Sequence, residues 1–424
     1  MQKQKLLIIG AVWVEPQSSA AGKRMLQLIE EFRNNNFDII FATTAQKTTN
    51  ALDLTNLGVK EVAIALNNVS FDALLKDLQP SVVLFDRFIT EEQFGWRVAT
   101  QLPNALTILD TEDLHCLRKT REICHKKKVS FSVEELLKRD ITKREIVAIL
   151  RCDLSLIIST FEMELLKNTF KIDASILMYL PFLLDEISEK QQKQLQPFKE
   201  RNHFIFIGNF FHQPNVDAVL TLKKEVWPEV RKQLPKAELH VYGAYVKPQI
   251  QQLHNPKEGF MIKGFAANAN EVVKNAKVVL APLNFGAGIK GKLTEAMLCG
   301  TPSVTTKIGA EGMHGNLPWN GFVTNDYKDF AKKTIQLYTD EEIWHTSQKN
   351  GFSIINQLYS KAKNSKLFFD KLFEIQESLE KHRQVNFLGS LLQHQTLNAT
   401  KYMSKWIEAK NNPIPNFPKG NSKN

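Results

Sequence analysis

The stretch VVLAPLNFGAGIKGKLTEAMLCGTPSV, residues 278–304, decides the fold of this chain. Its apolar start predicts a buried strand that ends at Pro282, and its second half predicts a helix over residues 292–299. The loop between them carries three glycines, Gly286, Gly288 and Gly291. A strand, a glycine-rich loop and a helix in this order form one unit of a parallel sheet covered by helices.

The same loop suits a phosphate group. Glycines let the backbone approach a ligand closely, and a helix N-terminus presents free N–H groups and a positive dipole. Lys290 and Lys292 add two positive charges, and Glu295, one turn into the helix, can accept hydrogen bonds from a ribose or sugar hydroxyl. The spacing is neither the GxGxxG fingerprint nor a P-loop. The alternative is a tight turn followed by an exposed Glu295.

The N-terminal half of the chain repeats this alternation of strands and helices. Strands are predicted at residues 6–9, 39–42, 82–85, 106–110 and 154–159. Helices are predicted at residues 22–34, 71–78, 91–101 and 161–168, with a long charged helical region that ends at residue 151. This rhythm predicts one doubly wound domain over residues 1–185.

A second α/β domain is predicted after a polar linker over residues 186–202. Its strands are predicted at residues 204–207, 238–242, 278–281 and 303–306, and its helices at 217–230, 271–275 and 292–299. We expect this domain to cover residues 203–375, so that two Rossmann-like domains face each other across a cleft. Residues 376–410 are expected to be helices and residues 411–424 a disordered tail.

Composition indicates a folded protein without a membrane span. The 424 residues are 43% hydrophobic and 24% charged, and no apolar run approaches the roughly 20 residues that cross a bilayer. The start, MQKQKLLIIGAVWV, mimics a signal peptide but lacks a small-residue cleavage site, so we interpret it as the first strand. Cys116, Cys124, Cys152 and Cys299 show no CxxC pair, so we expect no disulfide framework, no zinc site and a cytoplasmic location.

The net charge of +10 favours anionic partners. The densest basic patch consists of Arg118, Lys119, Arg121, Lys126, Lys127 and Lys128. It has no interleaved aromatic residues, so we expect no nucleic-acid partner. The patch is either a solvated helix face or a docking surface for phospholipid heads or a lipid-linked acceptor, which would place the protein at the inner face of a membrane.

Four segments resemble the retaining GT-B glycosyltransferases called group 1 or family 4. FGAGIKGKLTEAMLCGTPSVTTKIGAEGM, residues 285–313, is similar to the family's donor-binding loop and helix, and IKGFAANANEVVKNAKVVLAP precedes it as in the family. IGNFFHQPNVDAV, residues 207–219, and EPQSSAAGKRMLQLIEEF, residues 15–32, resemble the first loops of the two domains. LDTEDLHCLR and ISTFEMELL, residues 109–118 and 158–166, suggest a bacterial branch that acts in surface or exopolysaccharide assembly.

The resemblance implies roles for particular residues. Glu295 would hold the nucleotide ribose, and Lys290 or Lys292 would neutralise the diphosphate. The other donor-binding positions are Gly22, Gly208, Gly286, Ala287, Gly288 and Ile289. Ala287 departs from the family, because many relatives have a glutamate there that points at the transferred sugar. Residues 209–213 also lack the usual Arg or Lys, so more of the phosphate charge falls to the two lysines.

His115 is the candidate in the N-terminal domain. It follows a predicted strand end and three acids, Asp110, Glu112 and Asp113, and such strand ends face the ligand crevice. In similar enzymes a histidine in this region touches the donor sugar, so we expect a catalytic role. The alternative is a histidine bonded to a neighbouring carboxylate as an ordinary cap. Glu162 is interpreted as an acid at a helix N-terminus rather than a catalytic group.

Together these features predict a glycosyltransferase that moves a sugar from a nucleotide-sugar donor, of unknown base, to a saccharide or lipid-linked acceptor. By the resemblance, configuration would be retained; we expect no cofactor and no metal. A binding protein without transfer activity, motivated by Ala287, and a sugar-nucleotide epimerase are the alternatives. The last helix, around Tyr402 and Trp406, is expected to cross back and brace the N-terminal domain, as in similar enzymes.

Overall fold

The computed structural model describes residues 3–394, 402–403 and 406–407, and its first sheet is parallel and buried on both faces. Residues 6–10 of the first strand are all buried, as expected for a strand covered on both sides. The strand order is β3-β2-β1-β4-β5-β6-β7. The strands are β1 (Gln4–Gly10), β2 (Phe37–Thr43), β3 (Lys60–Ala63), β4 (Val82–Asp86), β5 (Leu106–Asp110), β6 (Leu154–Ile157) and β7 (Leu177–Tyr179).

Helices pack on both faces of this sheet. Alternate residues of β1 explain this: Leu7 and Ile9 pack with α2 and α3, whereas Leu6 and Ile8 pack with α1. The helices are α1 (Ala20–Asn34), α2 (Ser70–Leu78), α3 (Phe88–Gln101), α4 (His115–Lys126), α5 (Val133–Leu137), α6 (Asp140–Arg151) and α7 (Thr160–Asn168). The predicted charged helical region is thus three helices, because Lys128 adopts a φ of 56° and Ser132 caps a new helix.

The polar linker contains one short helix, α8 (Glu189–Lys193). Ser188 and Gln191 form a capping box at its start. The second sheet follows, with the strand order β10-β9-β8-β11-β12-β13. Its strands are β8 (Asn202–Ile207), β9 (Leu239–Tyr242), β10 (Phe260–Gly264), β11 (Ala276–Ala281), β12 (Ser303–Thr305) and β13 (Gly321–Val323).

Helices of the second domain are α9 (Gln213–Thr221), α10 (Trp227–Gln233), α11 (Pro248–Gln251), α12 (Ala269–Asn275), α13 (Gly291–Leu298), α14 (Lys307–Ala310), α15 (Tyr327–Thr339) and α16 (Glu341–Leu358). The helix predicted over residues 217–230 is longer than expected, because a π-helical turn, Leu222–Val226, joins α9 to α10. Pro228 follows this turn and lacks a backbone N–H, so the wider turn avoids a lost hydrogen bond.

The chain then crosses back to the N-terminal domain. The crossing starts with α17 (Lys361–Glu377) and continues with α18 (Leu379–Val385) and α19 (Phe387–His394), whereas the sequence suggested residues 376–410. Phe368 and Phe369 pack edge-on against Phe32 of α1, with ring centroids 5.6 and 5.2 Å away. The crossing helix is therefore part of the N-terminal core. The predicted tail, residues 411–424, lies outside the described residues.

The carboxyl ends of the two sheets face each other. In each sheet the strand order reverses beside the first strand, between β1 and β4 and between β8 and β11. Such switch points open a crevice outside the strand ends, where ligands bind. The expected fold class, two Rossmann-like domains facing across a cleft with a C-terminal helix crossing back, is confirmed. None of the described helices is long and apolar enough to cross a membrane.

Candidate functional site

The donor loop, residues 284–290, joins β11 to α13 at the switch point of the second sheet. Gly286 and Gly288 have φ angles of 156° and 63°, a region in which side chains are strained, which explains the two glycines. Lys290 is the residue that precedes the helix, and its side chain does not cap the helix N-terminus. The first N–H groups of α13 therefore have no side-chain cap, and they lie at the positive end of the helix dipole.

Two lysines stand beside this helix terminus. Lys290 is buried, and its Nζ donates to the carbonyl oxygen of Gly288 at 2.7 Å. Burial lowers the pKa of Lys290 to about 8, although Glu311 opposes that shift. The Nζ of Lys292 lies 4.3 Å from the centroid of the Phe206 ring and donates to Asn215. Burial lowers the pKa of Lys292 to about 7. Both ammonium groups lack full solvation, so an anion nearby would stabilise their charged forms.

Glu295 lies in the first turns of α13 and is buried. The alternative of an exposed Glu295 after a tight turn is therefore wrong. Its Oε1 accepts from the Nζ of Lys23 of α1, at 2.9 Å, across the domain interface. Gly22, the residue before Lys23, donates its N–H to the Ser19 Oγ that caps α1. A side chain at Gly22 would collide with the backbone of Glu15, so this glycine allows a tight loop.

The first loop of the C-terminal domain also reaches the N-terminal domain. Gly208 packs against the side chain of Asn215, where an added Cβ would lie 2.7 Å from the amide nitrogen. Asn215 donates to the carbonyl of Asn209 at 2.8 Å and accepts from Lys292. Asn209 in turn donates to the carbonyl of Ser18 at 3.2 Å. Asn215 thus links this loop to the lysine pair.

His115 is the first residue of α4 and lies at the carboxyl end of β5. Its Nε2 is 3.4 Å from Asp113 Oδ1, and its ring meets the Phe88 ring edge-on at 5.6 Å. Burial lowers the pKa of His115 to about 4, although Asp113 opposes this. His115 is therefore a neutral imidazole at pH 7, able to donate or accept one hydrogen bond.

Asp113 and Arg118 form the charged pair beside His115. Burial disfavours the Asp113 carboxylate, but Arg118 at 2.7 Å and His115 hold its pKa well below the usual range. An added Cβ on Gly288 would lie 2.7 Å from the Asp113 Cβ, so the donor loop rests directly on this residue. His212, Arg118, Asp113, His115 and Lys292 are close enough for their charges to interact. They surround the cleft from both domains.

Glu162 has a role in the site that the sequence did not predict. Its carboxyl is fully buried, and Oε1 accepts from the N–H groups of Leu114 at 3.0 Å and Gly288 at 2.8 Å. Burial, and next Asp113, raise the pKa of Glu162 to about 8. Glu162 is thus a neutral acid that holds the donor loop, near the N-terminus of α7 as predicted. Glu162 lies in the segment 158–166 that resembles the family, and this position was the sequence feature that could have indicated its role.

Arg121 joins the domains beside the same loop. Its two terminal nitrogens pair with both carboxylate oxygens of Glu311, at 2.7 and 2.8 Å, and Nη1 also donates to the carbonyl of Gly286 at 2.9 Å. The guanidinium stacks on Phe161, 5.1 Å from the ring centroid. From the sequence we assigned Arg121 to a basic surface patch, and no local pattern indicated that its side chain points into the protein.

The basic patch of α4 is largely neutralised by protein carboxylates. Arg118 and Arg121 face the cleft, as described above, and Lys119 and Lys126 both pair with Glu122. Neither expected reading, a solvated face or a docking surface, fits the whole patch. Lys127 and Lys128 are exposed, and we observe no ion pair for them among the described residues.

Two residues at the carboxyl ends of neighbouring strands have strained backbones. Arg87 after β4 and Glu112 after β5 have φ angles of 70° and 62°. Burial raises the pKa of Glu112 well above its usual value, and the nearby Asp110 adds to the shift. Asp110 itself is fully buried and pairs with Arg24 of α1 at 2.8 Å. Strain and buried charge cluster at functional sites, which supports the location of the cleft.

Ala287 and Ile289 pack into opposite domains. Ala287 contacts the core of the N-terminal domain, whereas Ile289 belongs to the core of the C-terminal domain. No carboxylate stands at position 287, and the acids beside this loop include Asp113 and Glu162 of the N-terminal domain and Glu311 of the C-terminal domain. Within the described part of the chain, no group of three or more His, Cys, Asp or Glu residues is placed to hold a metal ion.

Comparison with known proteins agrees with this architecture. The family model described as glycosyl transferases group 1 matches residues 201–340, the domain that carries the donor loop. An uncharacterized 44.6 kDa protein in the cps region of Klebsiella pneumoniae is 25% identical over 177 residues, which are 40% of this chain and 45% of that protein. The match therefore spans less than half the length of this curated relative. The predicted resemblance to group 1 enzymes is confirmed.

Several solved structures share the fold along most of the chain. Sucrose-phosphate synthase from Thermosynechococcus elongatus has a TM-score of 0.63 and 16% identity, and the alignment covers 89% of this chain and all of that one. TarM from S. aureus has a TM-score of 0.65 at 12% identity and coverages of 87% and 99%. HepE from Anabaena has a TM-score of 0.62 at 12% identity and coverages of 88% and 100%.

Proposed function

We propose that this chain, a GT-B fold protein whose residues 201–340 match the group 1 glycosyl transferases, moves a sugar from a nucleotide-sugar donor to a saccharide or lipid-linked acceptor. The proposal includes retention of configuration, no metal and a cytoplasmic location. Two neighbours support it by what their structures contain: HepE binds UDP and glucose, and TarM binds UDP, fondaparinux and α-GlcNAc-glycerol. The curated relative from a cps region supports a role in polysaccharide assembly.

The arrangement of charge across the cleft carries the proposal. On one side, the N-terminus of α13 presents free N–H groups next to Lys290 and Lys292. On the other side lies His115, neutral at pH 7, at the carboxyl end of β5. A diphosphate held by the helix terminus would place the sugar between these groups. Glu295, within the same helix, would then accept hydrogen bonds from the ribose hydroxyl groups in place of the one from Lys23.

The proposed chemistry needs stabilisation of a leaving diphosphate. The bond between the anomeric carbon and the diphosphate oxygen breaks, and a bond from the acceptor oxygen to that carbon forms on the same face. The acceptor proton passes to the leaving phosphate oxygen. Lys290, Lys292 and the α13 N–H groups stabilise the negative charge that builds up there. His115 contacts the sugar through its neutral imidazole, and the close domain contacts exclude water.

A ligand-binding screen tests this function. Purified protein is heated with UDP, GDP, ADP and TDP and their common sugar conjugates, with and without EDTA. A ligand at about 100 times its dissociation constant should add about 2.7 kcal/mol to the free energy of unfolding. We expect one nucleotide series to stabilise the wild type regardless of EDTA. Glu295→Ala should lose this effect, whereas Lys23→Ala, which only frees Glu295, should keep it.

Turnover of the stabilising donor is the second part of the test. With a suitable acceptor, Lys292→Ala should lower kcat by about 100-fold, because the variant lacks one of the positive charges that stabilise the leaving diphosphate. An unchanged rate for Lys292→Ala would refute its role. Binding of a donor without transfer to any acceptor would favour the binding-protein alternative, which the missing carboxylate at Ala287 supports. Conversion of the donor without an acceptor would favour an epimerase.

A further inference from the structure

Helices α18 and α19 contact the N-terminal domain largely through polar groups. Arg383 of α18 pairs with Asp153 at 2.7 Å and also donates to the carbonyl of Ala105 at 2.8 Å. Asn386 donates to the carbonyl of Leu150 at 2.8 Å. Gly389 is the only buried residue of α19, and an added side chain there would collide with Leu150. The segment is thus attached mainly through polar groups and one glycine, together with Leu379, which packs against the N-terminal core, and the half-buried Leu392.

Four other apolar side chains of the segment point to the solvent. Val385 is 63% exposed, Phe387 65%, Leu388 55% and Leu391 49%. A surface helix in water normally has the opposite arrangement, with apolar residues on the protein and polar residues outside. A contiguous group of exposed large apolar residues marks an interaction surface rather than a solvated one.

The described residues beyond α19 extend this apolar character. Tyr402, Met403, Trp406 and Ile407 are helical and are 64%, 57%, 59% and 45% exposed. Tyr and Trp are the aromatic residues that favour the boundary between lipid and water, because each has an apolar ring and a polar group.

We propose that α18 and α19, residues 379–394, dock on the surface of an anionic lipid bilayer, with Phe387, Leu388 and Leu391 inserted among the lipid headgroups. Charge favours this occupant. Residues 395–424 contain five lysines and one glutamate, and Lys381 of α18 is exposed. Exposed Phe and Leu side chains next to a lysine-rich stretch of sequence are typical of segments that lie in the interface of anionic membranes.

The position of the segment separates it from the cleft. Its partners Ala105 and Asp153 immediately precede β5 and β6, so they lie at the amino ends of the strands. The proposed reaction takes place at the carboxyl ends of the same strands. The membrane surface therefore differs from the α4 patch that the sequence suggested, and the inference does not depend on the proposed sugar transfer.

Vesicle sedimentation of the full chain tests the inference. Vesicles of 30% phosphatidylglycerol in phosphatidylcholine are compared with pure phosphatidylcholine and with a protein-only control. We expect binding to the anionic vesicles, and at least about tenfold weaker binding for Phe387→Ser combined with Leu388→Ser and Leu391→Ser. The matched control is Leu66→Ser combined with Val69→Ser, two exposed apolar residues outside the segment, which should bind like the wild type.

Three results would overturn the proposal. The first is no binding of the wild type to anionic vesicles. The second is equal binding of the wild type and the triple variant, both with unchanged melting temperatures. The third is a dimer in light scattering that the triple variant loses, which would assign the surface to a second copy of the chain. Binding to anionic vesicles by a protein without transferase activity would still support the membrane surface.

Discussion

Glu162 of the N-terminal domain accepts the backbone N–H of Gly288 in the donor loop, at 2.8 Å, with its carboxyl fully buried. The same oxygen accepts from Leu114. This contact ties the donor loop to the opposite domain through a neutral acid, since burial raises the pKa of Glu162 to about 8. Its protonation state therefore controls a contact at the centre of the cleft.

Glu162→Gln should be at least as stable as the wild type at pH 7, because the amide keeps the accepting oxygen and, unlike the carboxyl, is not ionised in the unfolded chain. Glu162→Ala should lower it by about 1–3 kcal/mol, because two buried N–H groups lose their partner. The folded pKa lies above the unfolded one, so the wild type should lose stability as the pH rises through 8. Urea unfolding at pH 6, 7 and 9 measures this. Equal losses in the wild type and Glu162→Gln at pH 9 would contradict the assignment.

Arg121 should couple the domains during turnover. Arg121→Ala removes a bidentate pair with Glu311 and a hydrogen bond to Gly286, so the donor loop loses a support. We expect kcat/KM to fall by about 30-fold or more, corresponding to at least about 2 kcal/mol. Lys119→Ala, on the exposed side of the same helix, should have no such effect. Equal activity of the two variants would rule out this role.

Donor binding should take up a proton through Lys292. Its pKa is lowered to about 7 by burial, so at pH 8 the free protein holds it mostly neutral. A bound diphosphate stabilises the ammonium form and raises that pKa, so affinity should fall as the pH rises from 7 to 9. Calorimetry at pH 8 in buffers of different ionisation enthalpy counts the protons. Lys292→Met should lower the uptake to the part that belongs to Lys290, whose pKa is about 8, and an unchanged uptake would contradict the role of Lys292.

The crossing helix α17 should contribute more stability than the residues after it. Phe369 is 3% exposed and packs on Phe32 and Phe37, so Phe369→Ala should cost about 3–5 kcal/mol. Truncation after Glu380 removes the Arg383–Asp153 pair but keeps α17, so a smaller loss is expected. Thermal and urea unfolding compare the two proteins. A truncated protein that melts normally would refute any bracing by residues 381–424.

The sequence predicted the central strands and missed those at the sheet edges. β1, β4, β5 and β11 are long apolar runs buried on both faces, which single-sequence patterns identify well. β7 and β13 have three residues each, and β3 has four half-buried or exposed ones, so they carry little periodicity. Their pairing depends on the neighbouring strand rather than on their own residues.

A candidate site could be predicted from the sequence where one segment contains its residues, as in the loop 284–290. The partners of that loop come from distant parts of the chain: Lys23 on Glu295, Glu162 on Gly288, and Arg121 on Gly286. Pairings of this kind follow from the packing of two domains, which no local pattern reveals. The roles given to Lys290, Lys292, His115 and the donor-binding glycines stay predictions until variants are measured.

Gly291 and Ala20 meet where the N-termini of α13 and α1 face each other. A methyl group added at Gly291 would lie 2.7 Å from the Ala20 Cβ, and the backbone there has no positive φ. One extra carbon atom at position 291 would then keep the two domains apart by steric contact, without straining the backbone of α13. Gly291→Ala is therefore a practical way to trap an open arrangement of the two domains for crystallography. Adding Ala20→Gly to the same protein should allow the domains to close again.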